Sequence, residues 1–174
     1  MANLRSEVVY LQMLQPPARA ASDRSALLVQ LQTVTVEQYL ELYRGVGSAF
    51  NWNARIKLPA EKLAKLLEQP GREVHVLAQS GESAGFVELD RRSDDVEIVY
   101  FGLMPAFIGR GLGGRFLDWV VDYAWSRGCR RLWLHTCDLD HPAALPNYQR
   151  AGFEIYDREW AERDDLDAPL NGTP

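Results

Sequence analysis

A glycine-rich turn that follows a long apolar segment constrains this chain most. Residues 96–107 (VEIVYFGLMPAF) carry one charged side chain, and glycines follow at positions 109, 111, 113 and 114. Glycine lets the backbone adopt left-handed conformations and approach a ligand closely. A helix N-terminus presents unpaired N–H groups and the positive end of the helix dipole. The pattern therefore predicts a phosphate-binding turn between a buried strand and a helix. The alternative is a tight connection without a ligand, for which four glycines would cost chain entropy to no purpose.

The composition is that of an ordinary globular protein. The chain has 174 residues, of which 47% are hydrophobic and 25% charged, with a net charge of −5 and two cysteines. We expect one domain over residues 1–162 and a mobile acidic tail over residues 163–174. We also expect a cytoplasmic protein without disulfides, because the N-terminus lacks a signal-peptide pattern and the cysteines are few. The net charge disfavours a nucleic-acid partner, and no apolar run is long enough to predict a membrane span.

The order of predicted elements indicates a mixed sheet. Helices are predicted from Thr35, with Gln38 as a capping-box partner, to Arg44–Gly45, and from Pro59 to about residue 69. Two more cover residues 111–127 and 142–151, and residues 47–57 read as a loop. Strands are predicted at residues 7–14, 26–33, 73–79, 84–90, 95–103, 131–137 and 153–160. The fold class is α/β (α+β), with a mostly antiparallel central sheet, helices on both faces and one parallel pair within residues 95–137.

The glycines also satisfy the dinucleotide-binding pattern G-x-G-x-x-G. Gly109, Gly111 and Gly114 match it, and Asp138 follows the next strand as a ribose-binding acid would. Residues 104–108 nevertheless separate the strand from the first glycine, and only one strand–helix–strand unit is predicted. A doubly wound fold needs several such units. We therefore disfavour a dinucleotide site.

The same turn resembles the acetyl-CoA-binding motif of the GNAT superfamily of N-acetyltransferases. That motif is Gln/Arg-x-x-Gly-x-Gly/Ala after a central strand; Gly111 and Gly113 stand at its glycine positions, and Ile108 stands where the family carries Gln or Arg. Downstream, residues 147–153 (NYQRAGF) resemble the family's Tyr-x-x-x-Gly-Phe segment. Residues 141–144 (HPAA) stand where Asn-Pro-x-Ala is usual. The resemblance covers about residues 26–160.

The resemblance implies an acyltransferase that uses acetyl-CoA as co-substrate and needs no metal. It would move the acetyl group to a primary amine by direct attack in a ternary complex. The backbone of the turn would hold the pyrophosphate, Arg110 and Arg115 would add positive charge, and the Leu103 N–H would serve the oxyanion. The cofactor-binding residues expected from the resemblance are Leu103, Ile108, Gly109, Arg110, Gly111, Leu112, Gly113, Gly114, Arg115 and His141.

Two side chains are candidates for proton transfer. Glu97 precedes Gly111 by fourteen residues on the central strand, where some members of the family carry a general base. Strand alternation places it on one face with Val99 and Phe101, and an apolar setting would raise its pKa. The alternative is a glutamate at a strand end that faces water or pairs with Arg91 or Arg92. By resemblance, Tyr148 would be the general acid that protonates the departing thiolate, and the alternative is a packing tyrosine.

The acceptor is less constrained. Tyr43, Phe50 and Trp52 lie in the region that covers the acceptor site in this family, and they predict an aromatic pocket for an alkyl or aryl amine. They would otherwise only pack the first helices against the sheet. We expect a small-molecule amine; a protein lysine or N-terminal acceptor and a non-catalytic acyl-CoA-binding module remain open. A homodimer through exposed strand edges also remains open.

The cysteines and histidines predict no further chemistry. Cys129, His135, Cys137 and His141 have the spacing C-x5-H-x-C-x3-H, which matches no usual zinc pattern. Cys137 has no evident partner that would activate it as an acyl carrier. We therefore expect a buried cysteine and a satisfied histidine at these positions.

Overall fold

The computed structural model describes residues 5–162, so the predicted tail lies outside the described residues. No helix in this range is long and apolar enough to span a membrane. The strands and helices, in chain order, are β1 (Arg5–Met13), β2 (Leu28–Leu31), α1 (Val36–Gly47), α2 (Ala54–Lys57), α3 (Ala60–Leu67), β3 (Arg72–Gln79), β4 (Glu82–Arg92), β5 (Asp95–Leu103), α4 (Leu112–Ser126), β6 (Arg131–Cys137), α5 (Ala144–Ala151) and β7 (Glu154–Glu162).

The strands form one seven-stranded sheet in the order β2-β3-β4-β5-β6-β1-β7. Every neighbouring pair is antiparallel except β5–β6, which is parallel. The predicted mixed, mostly antiparallel sheet is confirmed, and so is its parallel pair. Because α4 connects β5 to β6, the glycine turn lies at the start of the crossover between these two parallel strands.

The sheet has a separate apolar core on each face. On the first, which we call the α4 face, α4 and α5 cover Leu11, Leu89 and Leu134. On the second, the α1 face, α1 and α3 cover Val76 and Phe86. Helices therefore lie on both faces, as predicted. α1 begins with the predicted capping box between Thr35 and Gln38.

The β5–β6 pair opens part of the way along. Its Cα partners end at Glu97 and Trp133, while β5 continues to Leu103 and β6 to Cys137. A bulge lies at the same place on the other side of β5, where Glu88 faces Tyr100 and Leu89 faces Ile98. Val99 is the extra residue. An extra residue reverses the alternation of side chains beyond it.

Because of this bulge, the prediction that Glu97 and Phe101 share one face of the sheet is wrong. Phe101 packs into the core of the α4 face, whereas Tyr100 packs on the α1 face. Glu97 is the cross-strand partner of Asp90, which shares the α1 face with Glu88. Glu97 and Tyr100 therefore share a face because of the bulge, which simple alternation does not anticipate.

The stretch predicted as a loop, residues 47–57, contains a 3-10 turn at Ser48–Phe50 and the short helix α2. α1 also continues to Gly47, past its predicted end at Arg44–Gly45. A Cβ at Gly47 would lie 2.4 Å from the Trp52 ring, so glycine lets Trp52 pack directly against the end of α1. This packing is a tertiary contact, which local helix propensity does not predict. Near the N-terminus, a 3-10 turn at Arg24–Ala26 shortens β2, because the Asp23 side chain accepts a hydrogen bond from the Ser25 N–H.

Candidate active site

A cavity of about 690 Å³ occupies the opening between β5 and β6. Phe101 and Tyr148 line it from the α4 face, and Trp52 and Tyr100 line it from the α1 face. The cavity therefore reaches both faces of the sheet. The glycine turn, the open edges of β5 and β6 and the α1–α2 segment meet at this cavity.

The glycine turn has the backbone expected of an anion-binding loop. Gly109 and Gly111 have φ angles of +81° and +72°, and Gly111 is the N-cap of α4. A Cβ at either glycine would meet nothing within 4 Å, so the backbone conformation, not crowding, requires glycine. No side chain caps α4 and no acidic residue lies in its first turn. Its first N–H groups are available to an anionic ligand.

The charged residues predicted for this turn are arranged differently from the expectation. Arg110 lies over the ring of Phe107, 5.6 Å from its centroid, and does not line the cavity. Arg115 points toward β2, with Nη2 3.5 Å from the Ala26 carbonyl oxygen, and borders a separate hollow. Arg150 lines the cavity instead. α5 therefore supplies the arginine that lines the cavity beside the turn.

Arg150 was missed by the sequence analysis. Its Nη2 donates to the Gly114 carbonyl at 3.2 Å and to Asp118 at 3.1 Å. A Cβ at Gly114 would lie 3.4 Å from the same Nη2. The sequence held one signal, because Arg150 lies inside the segment NYQRAGF that was already singled out.

The other residues predicted to bind the cofactor either line the cavity or face the turn only with their backbone. Leu112 is buried in the core, so only its backbone faces the turn. Leu103 and Gly113 contact each other along the cavity wall, where a Gly113 Cβ would lie 3.6 Å from the Leu103 side chain. Ile108, 39% exposed, lines the cavity mouth. His141 also lines the cavity, and its Nδ1 accepts a hydrogen bond from the Ala143 N–H at 3.0 Å.

Glu97 lies beside the cavity, not on its wall. Its side chain is 20% exposed, and Oε1 is 3.9 Å from Nδ1 of His135, which does line the cavity. Burial raises the pKa of Glu97 to about 7, and the charge of Asp90 opposite it adds to the shift. A carboxylate with this pKa is suited to accept a proton near neutral pH, either through His135 or through water.

A buried ion network lies behind Glu97 on the α1 face. Glu88, fully buried on β4, accepts hydrogen bonds from Arg55 at 2.8 Å, Arg72 at 2.9 Å and the Tyr39 hydroxyl. Arg72 also binds Asp90 at 3.2 Å. The network therefore anchors α2, which carries Arg55, and fixes the carboxylate opposite Glu97. Sequence patterns did not reveal it, because its members lie far apart in the chain.

Tyr148 lies on α5 and lines the cavity, with 8% of its surface exposed. Its ring packs against Phe101 and Phe153, at centroid distances of 6.3 Å and 6.1 Å. Its hydroxyl has no hydrogen-bond partner among the described residues. Burial, with a smaller contribution from Asp140, raises the pKa of Tyr148 above its ordinary value. The hydroxyl therefore stays protonated at neutral pH and can donate a proton.

The predicted aromatic residues divide into two layers. Phe50 and Trp52 line the cavity. Tyr43 does not, because it is fully buried behind Trp52 and Tyr100, at ring distances of 5.5 Å and 4.9 Å. Tyr100, which the sequence analysis missed, completes the wall 4.9 Å from Trp52.

The α1–α2 segment meets the β6–α5 loop across the cavity. Nε1 of Trp52 donates to Oδ1 of Asp140 at 3.4 Å, and the rings of Phe50 and His141 are 5.9 Å apart. Asp140 also accepts hydrogen bonds from the Thr136 hydroxyl at 2.5 Å and the Cys137 N–H at 3.1 Å. These contacts join the two segments where both line the cavity.

The cysteines and histidines do not converge on a metal. Within residues 5–162, no group of three or more His, Cys, Asp or Glu side chains has a metal-binding arrangement. Cys129 is buried. Cys137 lines the cavity, but burial raises the pKa of its thiol to about 11, so it is a poor nucleophile at neutral pH.

Comparison with known proteins identifies the family. An acetyltransferase of the GNAT family from Novosphingobium aromaticivorans superposes with a TM-score of 0.61 at 16% identity, covering 90% of this chain and 63% of that one. This chain thus spans less than two thirds of that relative. A Bacillus subtilis acetyltransferase in complex with CoA has a TM-score of 0.57 at 21% identity, covering 75% and 78% of the two chains.

A third solved structure is an aminoglycoside acetyltransferase from an uncultured soil metagenomic sample, in complex with sisomicin. It has a TM-score of 0.60 at 15% identity, covering 75% of this chain and 90% of that one. At these identities the solved structures share the fold alone. The model of the Acetyltransferase (GNAT) family matches residues 38–153, well over half of the chain. The chain therefore belongs to the GNAT family of acetyltransferases.

Proposed function

We propose that this chain transfers an acetyl group from acetyl-CoA to the primary amine of a small molecule, by direct attack in a ternary complex. One observation carries the proposal: a single cavity joins the uncapped start of α4 to Tyr148 and to the surroundings of Glu97. Acetyl-CoA supplies an activated thioester. The fold neighbour from B. subtilis binds CoA, which supports the same ligand here.

The glycine turn fits the pyrophosphate of acetyl-CoA. Space is open above Gly109 and Gly111, the first turn of α4 has no acidic residue, and Arg150 lines the cavity beside Gly114. Backbone N–H groups and the helix dipole then hold the anion without a dedicated side chain. Ile108 leaves its position in the turn without a polar side chain, and Arg150, which is paired with Asp118, is the arginine that lines the cavity there.

Glu97 acts as the general base and Tyr148 as the general acid. The acceptor reaches the cavity as an ammonium ion and must lose a proton before it attacks. Glu97, with its pKa near neutrality, takes that proton through His135 or a water molecule. Tyr148, protonated and without a competing hydrogen bond, gives a proton to the departing thiolate. The Trp52–Asp140 and Phe50–His141 contacts narrow the acceptor side, which favours a small amine over a protein segment.

Turnover assays with two variants test these roles. Mass spectrometry of acetylated amine should show that Glu97→Gln and Tyr148→Phe each lower kcat by about 100-fold or more, because each removes one proton transfer. Acetyl-CoA affinity should remain at the wild-type value in both variants. Tight acetyl-CoA binding by wild-type protein with no turnover of any amine would instead support a non-catalytic acyl-CoA-binding module.

A further inference from the structure

The part of the cavity on the α1 face, which we call the acceptor end, is walled by Phe50, Trp52 and Tyr100. Its polar lining shows which amines it can accept. The argument rests on the proposed function, because it concerns the acceptor of that same reaction. An acceptor with further charged groups would need oppositely charged partners at this end. A second ammonium group would need a carboxylate, and a substrate carboxylate would need an arginine.

Carboxylates for a second ammonium group are lacking. Among the described side chains that line the cavity, Asp140 is the only carboxylate. Three donors already use its oxygens, from Trp52, Thr136 and Cys137. Glu88 and Asp90, on the same sheet face, are held by arginines, and Glu97 on that face is the proposed base for the reacting amine. A second ammonium at this wall would be desolvated without a counter-charge, which is costly.

Arginines for a substrate carboxylate are also lacking at the acceptor end. Arg55 and Arg72 are buried and bound to Glu88. Arg150, the one arginine among the described residues that line the cavity, lies at the glycine turn and binds Asp118. A zwitterionic amino acid would therefore bury its carboxylate without a partner.

The wall itself is apolar and held in place. The Trp52 and Tyr100 rings lie 4.9 Å apart, Tyr43 packs behind both, and the guanidinium of Arg55 lies 5.1 Å from the Tyr100 centroid. A Cβ at Gly102 would lie 2.4 Å from Val46, so glycine there allows the close approach of α1. A rigid aromatic surface binds apolar groups well and accommodates one cation over a ring.

We propose that the acceptor is a monoamine in which a single ammonium group is attached to an uncharged, apolar body. Polyamines, aminoglycoside-like polycations and zwitterionic amino acids are then poor substrates. The discrimination comes from unpaired charges at the acceptor end and not from size alone, so it holds between molecules of nearly equal length.

Two matched pairs of amines test this with the full chain and acetyl-CoA. Phenethylamine and phenylalanine share an aromatic body and differ by a carboxylate; hexylamine and hexamethylenediamine share a chain and differ by a second ammonium. We expect kcat/KM for the first member of each pair to exceed that for the second by about 30-fold or more. Equal or better turnover of the charged members would overturn the substrate class and leave the proposed function standing. If the protein binds acetyl-CoA but turns over none of the four amines, the proposed function itself is overturned.

A charge variant provides a second readout. Phe50→Asp adds a carboxylate to the wall, and we expect it to raise the ratio of hexamethylenediamine to hexylamine turnover by about tenfold. Trp160→Asp adds the same charge on β7, at a residue 65% exposed and outside the cavity lining, and should leave the ratio unchanged. Acetyl-CoA affinity checks that each variant is folded. An unchanged ratio in folded Phe50→Asp contradicts the inference.

Discussion

Asp90 and Glu97 lie directly opposite each other on β4 and β5, so that two carboxylates share the α1 face of the sheet. Arg72 and Arg92 bind Asp90 beside Glu97, at 3.2 Å and 2.9 Å. Burial raises the pKa of Glu97, and the charge of Asp90 adds to the shift. The arrangement links a structural ion network to the proposed base.

The pH dependence of the reaction should report this pair. Because Glu97 must be deprotonated to act as a base, kcat/KM should rise with pH through an apparent pKa of about 7. In Asp90→Asn the repelling charge is gone, so the rise should move to lower pH. Asp94→Asn, in the exposed β4–β5 turn, is the matched control and should leave the profile in place. A rise that stays at the same pH in Asp90→Asn would exclude this role for Asp90.

Stability should depend on pH through the same group. The pKa of Glu97 is raised from 4.5 to about 7 on folding, so the folded state holds a proton that the unfolded chain releases. Protonated Glu97 therefore contributes to stability fully below pH 4.5, and this contribution is lost as the pH rises to about 7. Glu97→Gln, which stays neutral, should therefore be more stable than wild type by about 3 kcal/mol above pH 7, as an upper bound, and by little at pH 4.5. Urea unfolding at pH 5 and pH 8 measures the difference, and an equal difference at both pH values would contradict the shift.

The buried ion network should be costly to break from one side. Arg55→Met leaves the fully buried Glu88 with one arginine fewer, and we expect a loss of about 3 kcal/mol in the free energy of unfolding. The double variant Arg55→Met/Glu88→Gln removes the charge and its partner together, so it should recover part of that loss. Denaturant unfolding of both single variants and the double variant measures the coupling; strictly additive effects would show that the pair is not coupled.

Much of the fold could be predicted from local sequence because its signals are local. The glycine turn, the Thr35–Gln38 capping box and the helical spacing of α4 each depend on a short segment. The bulge at Val99, the helix α2 and the Arg55–Glu88 pair depend on contacts between distant segments, and sequence periodicity does not contain them. Of the two residues predicted for proton transfer, Tyr148 lines the cavity and Glu97 lies beside it, whereas Tyr100, Asp140 and Arg150 acquire their positions only when β5, β6 and α5 come together.

The central claim is that the start of α4 holds the pyrophosphate of acetyl-CoA, and calorimetric titration with acetyl-CoA tests it most directly. Gly111→Val should be compared with Gly128→Val, because both glycines have positive φ angles, +72° and +78°, and open space where a Cβ would lie. They stand just before and just after the same helix, so the backbone strain is matched and only Gly111 adjoins the anion site. We predict micromolar binding by wild type, unchanged affinity in Gly128→Val, and at least a roughly tenfold loss in Gly111→Val. Equal affinity in the two variants, or no binding by wild type, would contradict the account.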